Sequence, residues 1–238
     1  IALLADEVGM GKTLQALSIM ALLFHQKPNA RVLIIAPRKV VAENWKSEYH
    51  TFIAQHYKND VNPYNVFSTE IGAEPIHPPI ACDSLFDLKA TYNKIWPHVF
   101  IIRTSNFSGL LPKEESGKKN GEIDKQYLAF NKAASIRDGL REAKHNIDGE
   151  KAAPFDLLIV DEAHYYRTKF GGSQKVAAAQ AFFGDSSPVS EKMSADRTWY
   201  PIAEKTLLLT ATPNHSTESD IQNIFSYFPH TIPSEKQA

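Results

Sequence analysis

Leu4-Ala-Asp-Glu-Val-Gly-Met-Gly-Lys-Thr13 is the stretch of this 238-residue chain that decides its fold. It continues a short apolar run, residues 1–5, and leads into residues 12–25, whose apolar positions are typical of a helix buried on most sides. A glycine-bearing loop between a strand and a helix is the context that a phosphate-binding loop requires. We therefore expect the fold to begin with a strand, a phosphate-binding loop and a helix.

The residue types in this loop suit a nucleotide phosphate. Gly9 and Gly11 let the backbone turn tightly, so that successive N–H groups point at phosphate oxygens beside the positive end of a helix. Lys12 is placed to reach the β- and γ-phosphates, and the Thr13 hydroxyl is placed to bind Mg²⁺. The general pattern has a glycine where this chain has Asp6, so a simple glycine turn before Lys-Thr stays open as the alternative.

Further apolar runs predict a sheet that is buried on both faces. Four more strands are expected, at residues 31–36, 99–102, 155–160 and 206–209. Helical patterns separate or follow them, at residues 40–52, 129–147 and 221–227. This alternation predicts an α/β fold with a mostly parallel sheet flanked by helices.

The third of these runs ends in two carboxylates, Asp161 and Glu162, followed by His164. In a parallel sheet the carboxyl ends of the strands line the ligand crevice. Asp161 there suits Mg²⁺, usually through water, and Glu162 can orient an attacking water. A solvated acidic turn is the alternative. His164 has no second histidine one helical turn away, which disfavours zinc.

Composition excludes several classes of protein. The chain is 43% hydrophobic and 22% charged, as in an ordinary globular protein. Its net charge of −1 argues against a simple polybasic nucleic-acid binder, although a local basic groove is compatible with it. The single cysteine, Cys82, excludes an internal disulfide framework and fits a reducing compartment. We expect neither a signal peptide nor a transmembrane segment, because no apolar stretch approaches the ~20 residues that span a bilayer.

Four segments together resemble the motifs of superfamily-two helicases and translocases. Residues 4–13 look like motif I in the D-E-x-G-x-G-K-T form of the Swi/Snf-type branch, which accounts for Asp6. The other matches are residues 35–45 (motif Ia, including an Asn-Trp pair), Asp161–His164 (motif II), residues 207–213 (motif III) and, more faintly, residues 102–106 (motif Ib). RapA-like ATPases and phage-defence translocases are the bacterial members closest in style.

The resemblance implies a RecA-like P-loop NTPase domain that binds ATP and Mg²⁺. It assigns nucleotide contacts to Asp6, Glu7, Val8, Gly9, Met10, Gly11, Lys12 and Thr13. It implies that Lys12, Asp161 and Glu162 are catalytic. It also implies that Thr13 and Asp161 bind Mg²⁺, partly through water. By the same resemblance, His164, Thr210 and Thr212 would couple the ATP state to binding of the nucleic-acid strand. The resemblance assigns contacts with the nucleic-acid backbone to Pro37, Arg38, Lys39, Thr104 and Ser105.

The resemblance also sets expectations for domain organisation. We expect residues 1–238 to form one RecA-like lobe of a longer protein, with insertions at 113–151 and 184–201 and without the second lobe. An arginine finger from a second lobe can accelerate hydrolysis roughly 10³–10⁵-fold. The chain alone should therefore bind nucleotide weakly and hydrolyse little ATP. The insertions are expected to be solvated surface decoration. The alternative, a partner- or duplex-contacting element, rests on the lysines at 113, 118 and 119.

Functional alternatives stay open at this level. The leading expectation is the N-terminal motor lobe of an ATP-dependent DNA translocase or helicase in the cytoplasm, in the bacterial cytosol or nucleoid. Its partners would be duplex DNA, with RNA as a possible track, and the second lobe of the same parent chain, but no membrane. One alternative is a motor subunit of a restriction or phage-defence system, and another is a nucleotide-switched binding module. Trp45 is expected in the core rather than as a platform for base stacking.

Overall fold

Six parallel strands form one sheet in the computed structural model of the chain. The structure describes residues 1–7, 9–27, 29–57, 79–94, 99–111, 122–148, 153–167, 173–184, 200–211 and 218–228. The strands are β1 (Ala2–Ala5), β2 (Val32–Ala36), β3 (Ile80–Ala81), β4 (Val99–Arg103), β5 (Phe155–Val160) and β6 (Ala203–Thr210). Their order across the sheet is β1-β6-β5-β2-β4-β3, and every neighbouring pair is parallel.

Helices cover both faces of this sheet. They are α1 (Lys12–Gln26), α2 (Lys39–Phe52), α3 (Leu85–Tyr92), α4 (Glu122–Asp148), α5 (Gln174–Phe183) and α6 (Glu218–Ser226). A π-helical turn, Ile53–Tyr57, extends α2, and 3₁₀ turns at Thr104–Ser108 and Ala163–Tyr166 follow β4 and β5. None of the helices that the structure describes is both long enough and apolar enough to cross a membrane.

Strand side chains alternate between two hydrophobic cores. Val32 and Ile34 of β2 pack with buried residues of α1 and α2, whereas Leu33 and Ile35 pack on the opposite face with α3, α4, α5 and α6. All five residues of β2 are buried, because a central parallel strand is covered on both sides. The continuous apolar runs in the sequence therefore have a direct structural cause.

The predicted α/β fold, a mostly parallel sheet flanked by helices, is confirmed. All five predicted strands are present, and α1, α2 and α6 coincide with predicted helices to within three residues. The helix predicted at 129–147 lies within α4, which begins earlier, at Glu122. Three elements were missed: β3, α3 and α5. β3 has only two residues, and α3 and α5 are short helices without a strong apolar stripe.

Surface decoration is a wrong description of α4, which occupies most of the region predicted as the first insertion. Its Ala129, Phe130, Ala133 and Leu140 lie in the core together with residues of α5. The helix is therefore a structural layer over the sheet. That 113–151 and 184–201 are insertions stays a prediction, and residues 113–121, 149–151 and 185–199 lie outside the described residues.

Candidate nucleotide site

The residues that follow the parallel strands meet at one edge of the sheet. The Asp6 N–H, after β1, donates to the Thr210 carbonyl oxygen at the end of β6 over 3.3 Å. The Asp161 N–H, after β5, donates to the Ile35 carbonyl oxygen of β2 over 2.9 Å. These bonds bring the phosphate-loop sequence, the acidic pair and Thr210 to the same edge, which is where the ligand crevice of such sheets lies.

The loop between β1 and α1 has the backbone that its glycines predict. Gly9 has φ 86° and Gly11 has φ 74°, values in the left-handed region that side chains other than glycine rarely adopt. A Cβ atom at either position would meet nothing within 4 Å, so the dihedral angle, and not a lack of space, demands glycine. Gly11 immediately precedes α1, so the loop ends at a helix N-terminus, where anions are favoured. Val8, predicted as a nucleotide contact, lies outside the described residues.

Lys12 is folded back onto this loop. Its Nζ donates to the carbonyl oxygens of Asp6, at 2.8 Å, and Glu7, at 2.7 Å. Both acceptors are neutral, and hydrogen bonds between a cation and a phosphate oxygen are shorter and stronger than those to a neutral acceptor. The ammonium group is therefore held beside the loop in a position from which a phosphate can attract it.

A pocket of ≈ 230 Å³ contains Thr13 and Asp161 together. Its remaining wall is one side of α2: Val41, Asn44, Trp45, Ser47 and Glu48. Trp45 is 2% exposed and packs in the α1–α2 core, as predicted. Its indole also donates from Nε1 to Asp161 Oδ2 over 2.9 Å, which sequence reasoning missed.

The carboxyl of Asp161 lies in a place that suits a cation. Burial raises its pKa, a hydrogen bond from Trp45 works in the opposite direction, and the nearby Glu162 charge raises the pKa further. A bound cation would favour the ionised carboxylate of Asp161 and offset the effects of burial and of the Glu162 charge. Mg²⁺ is usually held by one or two carboxylates, water and substrate phosphates, so Thr13 and Asp161 fit it without a cage of protein ligands. In the described part of the chain, no group of three or more His, Cys, Asp or Glu side chains could hold a metal ion by itself.

Glu162 has an unusual backbone conformation next to Asp161. Among the described residues it is the one non-glycine residue with positive φ, at φ 53° and ψ 54°. Its Oε2 is buried and lies 3.1 Å from His164 Nδ1, without the alignment of a hydrogen bond. The same ring nitrogen is 3.4 Å from Thr210 Oγ1. His164 therefore lies between the acidic pair after β5 and the end of β6. Thr212 is outside the described residues.

The predicted nucleic-acid contacts divide into exposed and buried residues. Arg38 and Lys39 are exposed just after β2, where Lys39 begins α2, and Ser105 is exposed after β4. Pro37 is half-buried. Thr104 is buried, and its hydroxyl donates to the Ala36 carbonyl oxygen over 3.3 Å. Thr104 therefore ties β4 to β2. Among the five predicted contacts, the exposed polar ones are Arg38, Lys39 and Ser105.

A family model described as "Type III restriction enzyme, res subunit" matches residues 2–215. The chain belongs to this family. The match spans every described strand, from β1 to β6, and thus both halves of the candidate site.

Two individual relatives are also similar to parts of the chain. The "ATP-dependent helicase BRM" of Arabidopsis thaliana is 48% identical over 52 residues, which are 21% of this chain and 2% of that protein. The crystal structure of the Pyrococcus furiosus Hef helicase domain is similar with a TM-score of 0.44 and 15% identity, over 94% of this chain and 32% of that one. The chain thus spans a small part of each relative.

Family membership and the helicase relative agree with the resemblance at a coarse level. The res-subunit domain described here is a helicase-like, ATP-dependent motor domain, corresponding to the N-terminal lobe of superfamily-two helicases. Such domains are nucleotide-binding ATPases that act on nucleic acid.

Sequence reasoning also missed the residues that fix the turn after β4. Asn106 accepts a hydrogen bond from the Arg103 N–H at 2.5 Å, and its amide donates to the Asp83 carbonyl oxygen. The Arg103 guanidinium donates to the Asp83 carboxylate over 3.1 Å. Asp83 is 20 residues away in sequence, so no local motif indicates this network. It ties the turn Thr104–Ser108 to the residues that follow β3 in the res-subunit domain.

Proposed function

We propose that the chain is the ATP-binding N-terminal motor lobe of an ATP-dependent DNA translocase or helicase. The observation that carries the proposal is the pocket that contains Thr13, at the start of α1, and Asp161, at the end of β5. These are the hydroxyl and the carboxylate that would hold the Mg²⁺ of Mg·ATP. Separate elements supply them, which is what motifs I and II of such a motor require.

The chemistry follows from the residues at this edge. Residues 6–13 surround the phosphates, with Lys12 exchanging its two carbonyl partners for β- and γ-phosphate oxygens. Thr13 and Asp161 would hold Mg²⁺, partly through water, and the ion would supply charge neutralisation at the phosphates. Glu162 orients the attacking water. The strained backbone at Glu162 supports this role, because such strain clusters at functional sites.

Coupling to the track belongs to the same edge of the sheet. His164 contacts both Glu162 and Thr210, so it is placed to relay the nucleotide state towards β6, with Thr212 beyond it. Arg38, Lys39 and Ser105, with Pro37 and Thr104 beside them, supply the contacts to a phosphate backbone. Duplex DNA is the proposed track, RNA the other candidate, and the second lobe of the parent chain the proposed partner. The cytoplasm, as bacterial cytosol or nucleoid, is the proposed setting.

A Swi/Snf-type, RapA-like mode of action is part of the proposal. The D-E-x-G-x-G-K-T form of residues 6–13 and the 48% identity with a segment of the plant helicase support it. Relatives of this type translocate along duplex DNA without separating the strands. In the whole protein, displacement of a triplex-forming strand without duplex unwinding is the result expected. Unwinding without triplex displacement would refute this subtype.

A restriction or phage-defence motor is the second candidate. The family match over residues 2–215 favours it, since that family is described by the res subunit of a type III restriction enzyme. The motor chemistry would be the same in either case. A nuclease or methyltransferase segment elsewhere in the parent chain, with DNA cleavage that depends on ATP, distinguishes this candidate from a chromatin-type or polymerase-associated translocase.

Two substitutions in the whole protein test the site. We expect Lys12→Ala to lose nucleotide affinity and hydrolysis, because the phosphate-seeking cation is removed. Glu162→Gln should keep nucleotide binding and lose hydrolysis by about 10²–10⁴-fold, the usual contribution of a group that handles a proton in the transition state. Nucleic-acid-stimulated phosphate release measures the rate, and Lys46→Ala on the outer side of α2 is the control.

The outcomes separate the proposals. Wild-type hydrolysis by either variant would show that the site is misassigned. A parent protein that binds ATP but shows no single-turnover hydrolysis would instead be a nucleotide-switched binding module. The chain without its second lobe should hydrolyse little ATP, because no arginine finger reaches the γ-phosphate from another lobe.

A further inference from the structure

Helix α2 brings a hydrogen-bond donor to the candidate metal site. Trp45 lies on the side of α2 that faces α1 and β5, and its Nε1 is 2.9 Å from Asp161 Oδ2. The two residues are 116 positions apart in sequence, so only the packing of α2 against the sheet brings them together. Both line the pocket that also contains Thr13.

Packing alone does not account for this contact. The Trp45 side chain is 2% exposed, and its ring fills the core between α1, α2 and the sheet. A phenylalanine would supply most of that apolar area, whereas an indole brings an N–H group that must find an acceptor when it is buried. The acceptor here is the carboxylate that the proposed function assigns to Mg²⁺.

The geometry also limits how Asp161 can move. Its backbone N–H is fixed to the Ile35 carbonyl oxygen, and its Oδ2 is fixed by Trp45. With the backbone and Oδ2 both held, the position of the carboxylate is restricted before any ligand arrives. Groups that hydrogen-bond to a metal-binding carboxylate in this way orient it, and their loss typically costs 10–100-fold in metal affinity or activity.

We propose that Trp45 is a positioning residue that orients the Asp161 carboxylate for the Mg²⁺ of Mg·nucleotide. This inference rests on the proposed function, since it takes Asp161 to be the metal-binding carboxylate. Trp45 touches neither nucleotide nor metal in this account. It acts through its N–H group, so a variant that keeps the ring and loses the N–H should bind the metal form of the nucleotide poorly.

Calorimetric titration of the Trp45→Phe chain with ADP, in excess Mg²⁺ and separately in EDTA, tests the inference. We expect the affinity for Mg·ADP to fall about 10–100-fold while the affinity for metal-free ADP changes less than about 2-fold. Tyr49→Phe is the matched control. Tyr49 lies one turn further along α2, is equally buried, and its hydroxyl has no hydrogen-bond partner among the described residues. It should leave both affinities unchanged.

Each result decides between the claims. Equal Mg·ADP affinity in Trp45→Phe and wild type would overturn the positioning role and leave the proposed function standing. A wild-type chain that binds ADP no better with Mg²⁺ than with EDTA would overturn the proposed metal site itself. If Trp45→Phe does not fold, as judged by circular dichroism, β-(3-benzothienyl)alanine at position 45 keeps the shape of indole and has sulfur in place of N–H. The same loss of Mg·ADP affinity is expected for it, and an unchanged affinity overturns the inference.

Discussion

Glu162 combines a buried carboxylate oxygen with a left-handed backbone, and neither feature stabilises the fold. A residue other than glycine in this conformation costs of order 1–3 kcal/mol. Its charge also raises the pKa of the neighbouring Asp161, after the larger effect of burial. The surrounding turn imposes this geometry, since the Tyr165 N–H donates to the Glu162 carbonyl oxygen over 3.0 Å. Stability and the proposed water-orienting role therefore oppose each other at this position.

Glu162→Asn makes this opposition measurable. Asparagine tolerates the left-handed region better than most residues, and the substitution removes one of two adjacent carboxylates. We expect the free energy of unfolding of the chain to stay equal or rise by up to about 1 kcal/mol, with hydrolysis by the whole protein lost. Urea denaturation and a phosphate-release assay measure the two quantities. A loss of more than 1 kcal/mol of stability would show that the carboxylate supports the fold, contrary to this account.

Residue types near the site could be predicted, but their partners could not. The sequence predicted that residues 9–13 and Asp161 meet, because parallel strands bring their carboxyl ends to one edge. It placed Trp45 in the core, which is confirmed, and gave no sign of the bond to Asp161. Which way a buried indole N–H points depends on the rotation and tilt of α2. Apolar periodicity fixes the buried face of a helix and not these details.

Among the elements, α5 ends at a glycine whose backbone angle and close neighbour both disfavour a side chain. Gly184 has φ 97°, and its N–H donates to the Gln180 carbonyl oxygen over 3.0 Å. A Cβ atom there would lie 2.1 Å from the Tyr200 carbonyl oxygen, far inside the normal distance between non-bonded atoms. The chain passes so near because the Ile202 N–H then donates to the Phe183 carbonyl oxygen, which starts the approach to β6.

Gly184→Ala should therefore destabilise the chain by about 2–4 kcal/mol, from backbone strain together with the clash against Tyr200. Gly109→Ala is the matched control. Gly109 has φ −99°, and a Cβ atom there meets nothing within 4 Å. We expect that variant to be unchanged or up to about 1 kcal/mol more stable, because alanine lowers the entropy of the unfolded chain. Thermal melts of both variants provide the comparison, and equal melting temperatures would contradict the structural role of Gly184.

Helix α4 shows how charge can mislead a prediction at this scale. Its apolar stripe correctly predicted a helix, but its many charges favoured surface decoration. Arg137 and Lys144 are in fact 0% and 1% exposed. Arg137 donates to the Ala181 carbonyl oxygen of α5 over 3.1 Å, and its guanidinium lies 4.6 Å from the centre of the Tyr200 ring. Basic side chains can thus lie inside when their partners come from distant segments, and a single sequence does not name those partners.

Across the whole molecule, Asp156 joins the two helical layers at the edge of the sheet opposite the candidate site. It is the second residue of β5 and its side chain is 2% exposed. Lys27, just after α1 on one face, pairs with Oδ1 at 2.5 Å. Lys144 of α4, on the other face, lies 3.5 Å from Oδ2, which also accepts the Arg31 N–H at 2.7 Å. One carboxylate therefore neutralises charge from both layers.

These contacts give the fold a pH dependence with a definite sign. Burial raises the pKa of Asp156, but the hydrogen bonds from Lys27 and the Arg31 N–H and the charges of Lys144 and Lys27 outweigh it, so the pKa lies below its ordinary 3.8. The unfolded chain takes up this proton first as the pH falls. The stabilising contribution is therefore fully present above about pH 5, and it is lost as the pH falls through the lower, folded-state pKa.

Asp156→Asn should lower the free energy of unfolding by about 3 kcal/mol at pH 7, because the buried Lys144 and the nearby Lys27 lose the negative charge of this carboxylate. Below about pH 4 the wild type loses the same contribution, so the difference between the two proteins should shrink steadily towards pH 2. Glu43→Gln breaks a surface pair with Lys46, whose closest atoms are 3.6 Å apart, and serves as the control, with an expected effect under about 1 kcal/mol at every pH. Guanidinium denaturation from pH 7 to pH 2 follows all three chains. A difference between wild type and Asp156→Asn that stays constant over this range would show that the buried carboxylate does not link the two layers through its charge.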